Sequence, residues 1–209
     1  TTGPIGPDGR PTAIGSSRNL SLVYADIDNF VNFYGRENIA GYFIDEVNTE
    51  DNPSNIAYMA SIYNYIKSKY PEMLVLANNG WGVRDAIAPY ADVWMLQEVS
   101  ADEYINRYRA RTSEFEKDPA NSAKILHVIY NASPEQYDEI IRLSRERNAA
   151  NLFITSDTNR YPGGYDDLPS YFEALMLAIN NFTPKNGSLF SQAARSGDRI
   201  GIEMPRSKV

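Results

Sequence analysis

A regular alternation of short apolar runs and amphipathic segments constrains the fold of this chain most strongly. Five apolar runs predict β-strands, and segments with helical spacing or helix-start signals separate them. Such an alternation is typical of a parallel sheet with right-handed crossovers. We therefore expect an α/β fold. The predicted strands cover residues 39–45, 73–77, 92–98, 124–130 and 151–156.

The segments between these runs predict six helices, which cover residues 19–34, 55–70, 83–88, 101–115, 133–148 and 169–180. The first sixteen residues are rich in glycine and proline and predict a loop. Residues 184–209 lack periodicity and predict an irregular C-terminal extension. The chain therefore reads as one domain, residues 1–183, followed by that extension.

The number of strand–helix units leaves two architectures open. A closed (β/α)8 barrel typically takes about 250 residues, and five units are too few to close one. The alternatives are an open, doubly wound sheet or a barrel whose first three units lie outside this chain. Composition and periodicity do not separate them.

Two of the predicted strands end in carboxylates. The first ends in Asp45 and Glu46, and the third ends in Glu98. Burial of an unpaired charge is costly, so we expect these acids at the carboxyl ends of the strands, where α/β folds open onto a pocket. Paired carboxylates at one rim are what glycoside hydrolysis requires. Because successive side chains of a strand point in opposite directions, Asp45 and Glu46 can share one spot only if the chain bends.

Composition excludes several functional classes. The net charge is −7 without a basic cluster, which argues against nucleic acid and anionic membranes as partners. Cysteine is absent, so thiol catalysis and thiolate zinc sites are excluded. No nucleotide-binding glycine motif occurs, and no cofactor and no metal are expected. The oxygen-rich run 45–52 leaves a calcium site as a weaker alternative.

Several residues on the predicted loops after the strands are candidates for sugar binding. Asparagine and aspartate side chains there can bond sugar hydroxyls or cap helices, and aromatic rings there can stack on sugars or pack locally. The candidates are Asn78, Asn79, Trp81, Asp157, Tyr161 and Tyr165.

His127 is the only histidine of the chain and lies within the fourth predicted strand. A lone histidine in an apolar strand is typical of a hydrogen-bonded core residue. A substrate contact is the alternative interpretation.

Several segments, taken together, resemble the spherulin-4-like family of glycoside hydrolases, which cut galactosamine-containing polysaccharides. The resemblance covers roughly residues 1–175, and the matching segments follow in the family's order. They are Thr1-Thr2, Gly9-Arg10-Pro11, Ala25-Asp26-Ile27 with Phe30, Phe33 and Tyr34, Gly41 to Glu46, Asn78-Asn79-Gly80, the strand that ends in Glu98, Ser156-Asp157-Thr158 and Tyr165 to Tyr171.

The resemblance implies a (β/α)8 barrel in which residues 41–46 form the fourth strand. The first two strands and most of the third would be absent, and another chain or segment would supply them. The family's catalytic acids match Asp45, Glu46 and Glu98. The implied activity is endo-acting hydrolysis of an amino-sugar polysaccharide without a cofactor, by an extracellular or cell-surface domain.

Two other functions stay open. The first is a non-catalytic surface or structural module of the same family that retains carbohydrate binding. The second is an intracellular α/β enzyme with an open sheet, which a doubly wound strand order would support.

Overall fold

The computed structural model describes residues 2, 18–107, 113–158 and 165–181. The predicted N-terminal loop, apart from Thr2, lies outside the described residues, as do Tyr161 and the predicted C-terminal extension. The chain divides into two compact units, Thr1–Tyr171 and Phe172–Val209. The second unit contributes one described helix, and the predicted boundary at residue 183 stays a prediction.

Five strands and six α-helices form the described part of the chain. Among the described residues, no helix combines the length and apolarity that a membrane span requires. The strands are β1 (Gly41–Ile44), β2 (Leu74–Asn78), β3 (Val93–Ser100), β4 (Ile125–Tyr130) and β5 (Asn151–Ile154). The helices are α1 (Leu20–Tyr34), α2 (Pro53–Lys69), α3 (Ala101–Asn106), α4 (Glu114–Lys117), α5 (Tyr137–Glu146) and α6 (Phe172–Asn181), with 3-10 turns at Arg36–Asn38, Ala88–Tyr90 and Pro119–Lys124.

The strands form one parallel sheet in the order β1-β2-β3-β4-β5. Spatial order thus follows chain order, and the described sheet has no point at which the order reverses. A doubly wound sheet requires such a reversal. The mixed α/β class and the parallel sheet are confirmed, and the described strand order does not support the doubly wound alternative.

Helix starts follow from local hydrogen bonding. Asn19 caps α1 by accepting the Ser21 N–H at 2.9 Å. Asn52 caps α2 by accepting the Asn55 N–H, and Pro53 occupies the first helical position.

Two helix predictions are wrong. Residues 83–88 form turns that lead into a 3-10 segment rather than a helix. The described part of 101–115 is not one helix, because α3 ends at Asn106.

The two faces of the sheet have different surroundings. On one face α1 and α2 cover the sheet, and Ile62 of α2, Val75 of β2 and Trp94 of β3 are fully buried in the core. On the other face Phe43 is 54% exposed and Leu74 is 55% exposed. Phe43 and Leu74 are therefore open to solvent, although they belong to parallel strands, which are typically buried on both faces. We call these the helix-covered face and the open face.

A β-bulge in β3 changes which side chains reach the open face. Leu96 is an extra residue, so that Leu96 and Gln97 together oppose His127 of β4. Strict alternation would place Glu98 on the helix-covered face, together with Trp94. The extra residue reverses this parity and turns Glu98 to the open face.

Asp92 joins the start of β3 to β2 and α2 at the other end of the sheet. One carboxylate oxygen, Oδ2, lies 2.6 Å from Lys67 Nζ and accepts the Val75 N–H, while Oδ1 accepts the Tyr63 hydroxyl at 3.2 Å. Burial acts to raise the pKa of Asp92, but the bonds from Lys67 and the Val75 amide outweigh it and hold this pKa below its usual value.

Asp92→Asn is expected to lower the free energy of unfolding by about 1–2 kcal/mol at pH 7, because the charge partner of Lys67 is lost. A lowered folded-state pKa stabilises the protein above the unfolded-state pKa of about 4, and this contribution is lost as the pH falls. The difference between wild type and variant should therefore shrink below about pH 4, as denaturant unfolding at several pH values would show. The exposed Asp51→Asn is the matched control. A pH-independent difference would contradict this explanation.

Candidate functional site

A cleft of about 510 Å³ lies at the carboxyl ends of the strands on the open face. The three predicted acids all line it. Two further predicted site residues, Asn78 and Tyr165, do so as well. The remaining lining residues are apolar, namely Phe43, Met95, Val128 and Phe153.

A backbone bend after β1 lets adjacent acids reach one cleft. Glu46 has a φ of +59°, in the left-handed region, which interrupts the alternation of the strand. The Thr2 hydroxyl donates to the Glu46 carbonyl at 2.7 Å, and the Thr2 N–H donates to the Asp45 carbonyl at 3.0 Å. The bend that Asp45 and Glu46 need in order to share one site is thus present, and the hydrogen bonds of Thr2 stabilise it from outside the strand.

Asn78, at the end of β2, fixes the Asp45 carboxylate. Its Nδ2 donates to Asp45 Oδ1 at 2.8 Å, and its Oδ1 accepts the Gly80 N–H at 2.9 Å, which determines the orientation of the amide. Asp45 Oδ1 also accepts the Glu46 N–H at 3.0 Å. Two N–H donors therefore meet Oδ1, and a proton on this carboxyl group would sit on Oδ2.

Tyr165 fixes Glu98 from the loop after β5. The Tyr165 hydroxyl donates to Glu98 Oε1 at 2.9 Å, and its ring lies edge-on to the rings of Tyr130 and Phe153. Burial, and then the bond to Glu98, raise the pKa of Tyr165. The phenol thus stays protonated and remains a donor at neutral pH.

Asp157 organises the turn that carries Tyr165. Its carboxylate accepts the N–H groups of Thr158, Asp166 and Asp167, and Tyr165 itself has a φ of +63°. These bonds, that from Thr158 first, lower the pKa of Asp157 although its slight burial acts in the opposite direction. Asp157 does not line the cleft, and it acts on the site through Tyr165.

Two other predicted contacts lie away from the cleft. Asn79 donates through Nδ2 to Thr49 Oγ1 at 2.9 Å and to the Gly82 carbonyl, so its amide holds the loop. Trp81 is 69% exposed and lines a separate, smaller hollow. Tyr161 lies outside the described residues.

His127 is a core residue, and the alternative of a substrate contact is not supported. It is 2% exposed, and its Nδ1 lies 2.8 Å from the Tyr104 hydroxyl of α3 on the helix-covered face. The physical reason is the alternation of β4, which brings Val128 rather than His127 to the cleft.

Sequence reasoning missed the apolar part of the cleft. Phe43 has the same parity as Asp45 along β1, so alternation alone could have identified it. Met95, Val128 and Phe153 gave no such signal, because apolar residues in a parallel strand are also typical of a core. Among the described residues, no group of three or more histidine or acidic side chains is placed to hold a metal ion.

Comparison with known families gives a match to the model of spherulation-specific family 4 over residues 12–179, most of the chain. The chain belongs to this family. This confirms the resemblance that the motifs indicated.

A solved structure, Sph3 from Aspergillus clavatus in complex with GalNAc, is similar to this chain with a TM-score of 0.64. The two sequences are 18% identical, and the similarity covers 78% of this chain and 68% of that one. At this identity the likeness concerns the fold alone. The comparison with curated proteins finds no match for this chain.

Proposed function

We propose that this chain is a glycoside hydrolase-like domain that cuts an amino-sugar polysaccharide containing galactosamine or N-acetylgalactosamine. The observation that carries the proposal is the convergence of Asp45, Glu46 and Glu98 on one cleft. Glycoside hydrolysis needs two carboxyl groups of different roles beside the scissile bond. The family and the GalNAc bound in Sph3 support the class of substrate.

Asp45 and Glu98 form the proposed catalytic pair, and Glu46 is the alternative partner of Glu98. One carboxyl group donates a proton to the leaving oxygen, and the other acts as nucleophile or as base toward water. Asn78 and Tyr165 are positioning residues. Asn78 holds Oδ1 of Asp45 and Tyr165 holds Oε1 of Glu98, so that the second oxygen of each carboxylate is left for the substrate. The apolar side chains of the cleft support the sugar rings.

A (β/α)8 barrel is the proposed architecture around this cleft. The described strands follow one another without reversal, as in such barrels, and Phe43 and Leu74 on the open face would be covered in a closed barrel. Thr2 bonds to the end of β1 and supports a further strand at this edge. Another chain or segment would supply the strands that precede Thr2.

An extracellular or cell-surface location is part of the proposal, since a polysaccharide substrate lies there.

The second candidate is a non-catalytic, carbohydrate-binding module. The aromatic side chains of Phe43 and Phe153 in the cleft favour it, because such rings support sugar binding without any proton transfer.

Incubation with a galactosamine-rich polymer tests the proposal. We expect new reducing ends and, by mass spectrometry, oligosaccharides of mixed length, because internal cleavage yields a range of products. A glucan without amino groups is the control polymer and should stay intact. Binding of the amino-sugar polymer without any cleavage would contradict hydrolysis and favour the carbohydrate-binding module.

A further inference from the structure

A buried glutamine without a partner points to a second binding site beside the cleft. Gln97 is 5% exposed, and its carboxamide has no hydrogen-bond partner among the residues that the structure describes. The side chains of the other nine buried polar or charged residues of the described part all form hydrogen bonds, most of them with backbone groups. A buried amide left unpaired lowers stability, so its presence calls for an explanation.

Gln97 lines a hollow of about 170 Å³, which we call the Gln97 hollow. Glu98 lines both this hollow and the catalytic cleft, while Glu103 of α3 and Arg107 supply charged groups. The exposed ring of Trp81 stands at the same hollow. The bulge explains the placement, since the extra Leu96 turns Gln97 to the helix-covered face.

The chemistry of the Gln97 hollow fits one group of an amino-sugar chain. A carboxamide both donates and accepts hydrogen bonds, and an acetamido group offers the complementary N–H and C=O. An indole ring packs against the apolar face of a sugar. A cavity of about 150 Å³ holds a benzene molecule, so a hollow of this size accommodates an acetamido group and one edge of a sugar ring.

We propose that the Gln97 hollow is a sugar subsite that binds the acetamido group of an N-acetylated sugar through Gln97, with Trp81 against the ring. The inference rests on the proposed function and extends it from one cleft to two adjoining positions that share Glu98. Selectivity for the acetylated sugar comes from the carboxamide of Gln97, because an unacetylated ammonium group lacks the C=O that the carboxamide N–H groups would bond.

Gln97→Met tests the subsite, because it keeps the length of the side chain and removes the amide. We expect the Kd for an N-acetylgalactosamine oligosaccharide, measured by calorimetry, to rise about tenfold, as befits the loss of one or two hydrogen bonds. The Tm of the ligand-free variant should not fall, because no protein hydrogen bond is lost. The matched control is Gln136→Met, which removes the bond from the Ser133 N–H and should lower the Tm without changing the Kd.

Tryptophan fluorescence gives a readout that needs neither activity nor the Gln97 variant. The chain has two tryptophans, of which Trp94 is fully buried and Trp81 is 69% exposed. The N-acetylated oligosaccharide should shift the emission to shorter wavelength, and Trp81→Ala should abolish the shift and raise the Kd.

Three results would overturn the subsite. They are an unchanged Kd in Gln97→Met, a fall in its Tm, or equal Kd values for acetylated and deacetylated oligosaccharides. Cleavage by wild type together with an unchanged Kd in Gln97→Met would reject the subsite and leave the hydrolase proposal standing. A fluorescence shift together with a raised Kd in Gln97→Met, but without cleavage by wild type, would support the subsite and reject the hydrolase proposal.

Discussion

Glu98→Gln is expected to lower the rate of polysaccharide cleavage by about 10²–10⁴-fold, the range that positioned proton transfer contributes. Glutamine has nearly the same shape as glutamate, and its Oε1 can still accept the hydrogen bond from the Tyr165 hydroxyl. Its amide, however, neither donates nor accepts the proton that the reaction requires. Initial rates of reducing-end formation by the two proteins measure the effect.

The control for Glu98→Gln is Glu114→Gln, a change to an exposed acid that pairs with Lys117 and does not line the cleft. It removes the same charge and should leave the rate unchanged. Equal activity of the Glu98 variant and wild type, with equal Tm values, would remove Glu98 from the mechanism.

Asp45→Asn is expected to slow cleavage by about 10²–10³-fold, because a transition state that resembles an oxocarbenium ion loses a preorganised negative charge. The variant should fold, since the amide oxygen of the introduced asparagine can accept the same N–H groups from Asn78 and Glu46. The measurement is kcat and KM on the polymer, with thermal unfolding to confirm the fold.

Glu46→Gln identifies the partner of Glu98. If Asp45 is the partner, Glu46→Gln should retain far more activity than Asp45→Asn. The reverse order would assign the role to Glu46, and full activity of both variants would contradict the proposed pair. A double variant that combines Glu98→Gln with the substitution of its partner should lose little more activity than the slower of the two single variants. The reason is that the effects of substitutions within one catalytic unit are not additive.

Local pattern was sufficient to predict the five strands and their parallel pairing. Each strand begins and ends within about two residues of its predicted position, as is usual for strongly patterned runs. Helix prediction was weaker at 83–88, where tertiary contacts select turns. The side chain of Asp85, for example, accepts the N–H groups of Glu114 and Phe115, 29 and 30 residues away.

The sequence also determined which end of the sheet carries the acids, because an unpaired carboxylate is too costly inside a buried strand. It did not determine which way those acids face. Alternation predicts opposite directions for Asp45 and Glu46, and it predicts the helix-covered face for Glu98.

Tertiary structure decided both points through features without a local signal. Thr2 holds the bend at Glu46 from 44 residues away, and Tyr165 reaches Glu98 from 67 residues away. The bulge at Leu96 depends on how β3 pairs with β4. Local sequence pattern therefore determined the strands and the end of the sheet at which the acids lie. The cleft exists because folding turns the side chains of these acids to one face. Only hydrogen bonds between residues far apart in the chain set that orientation.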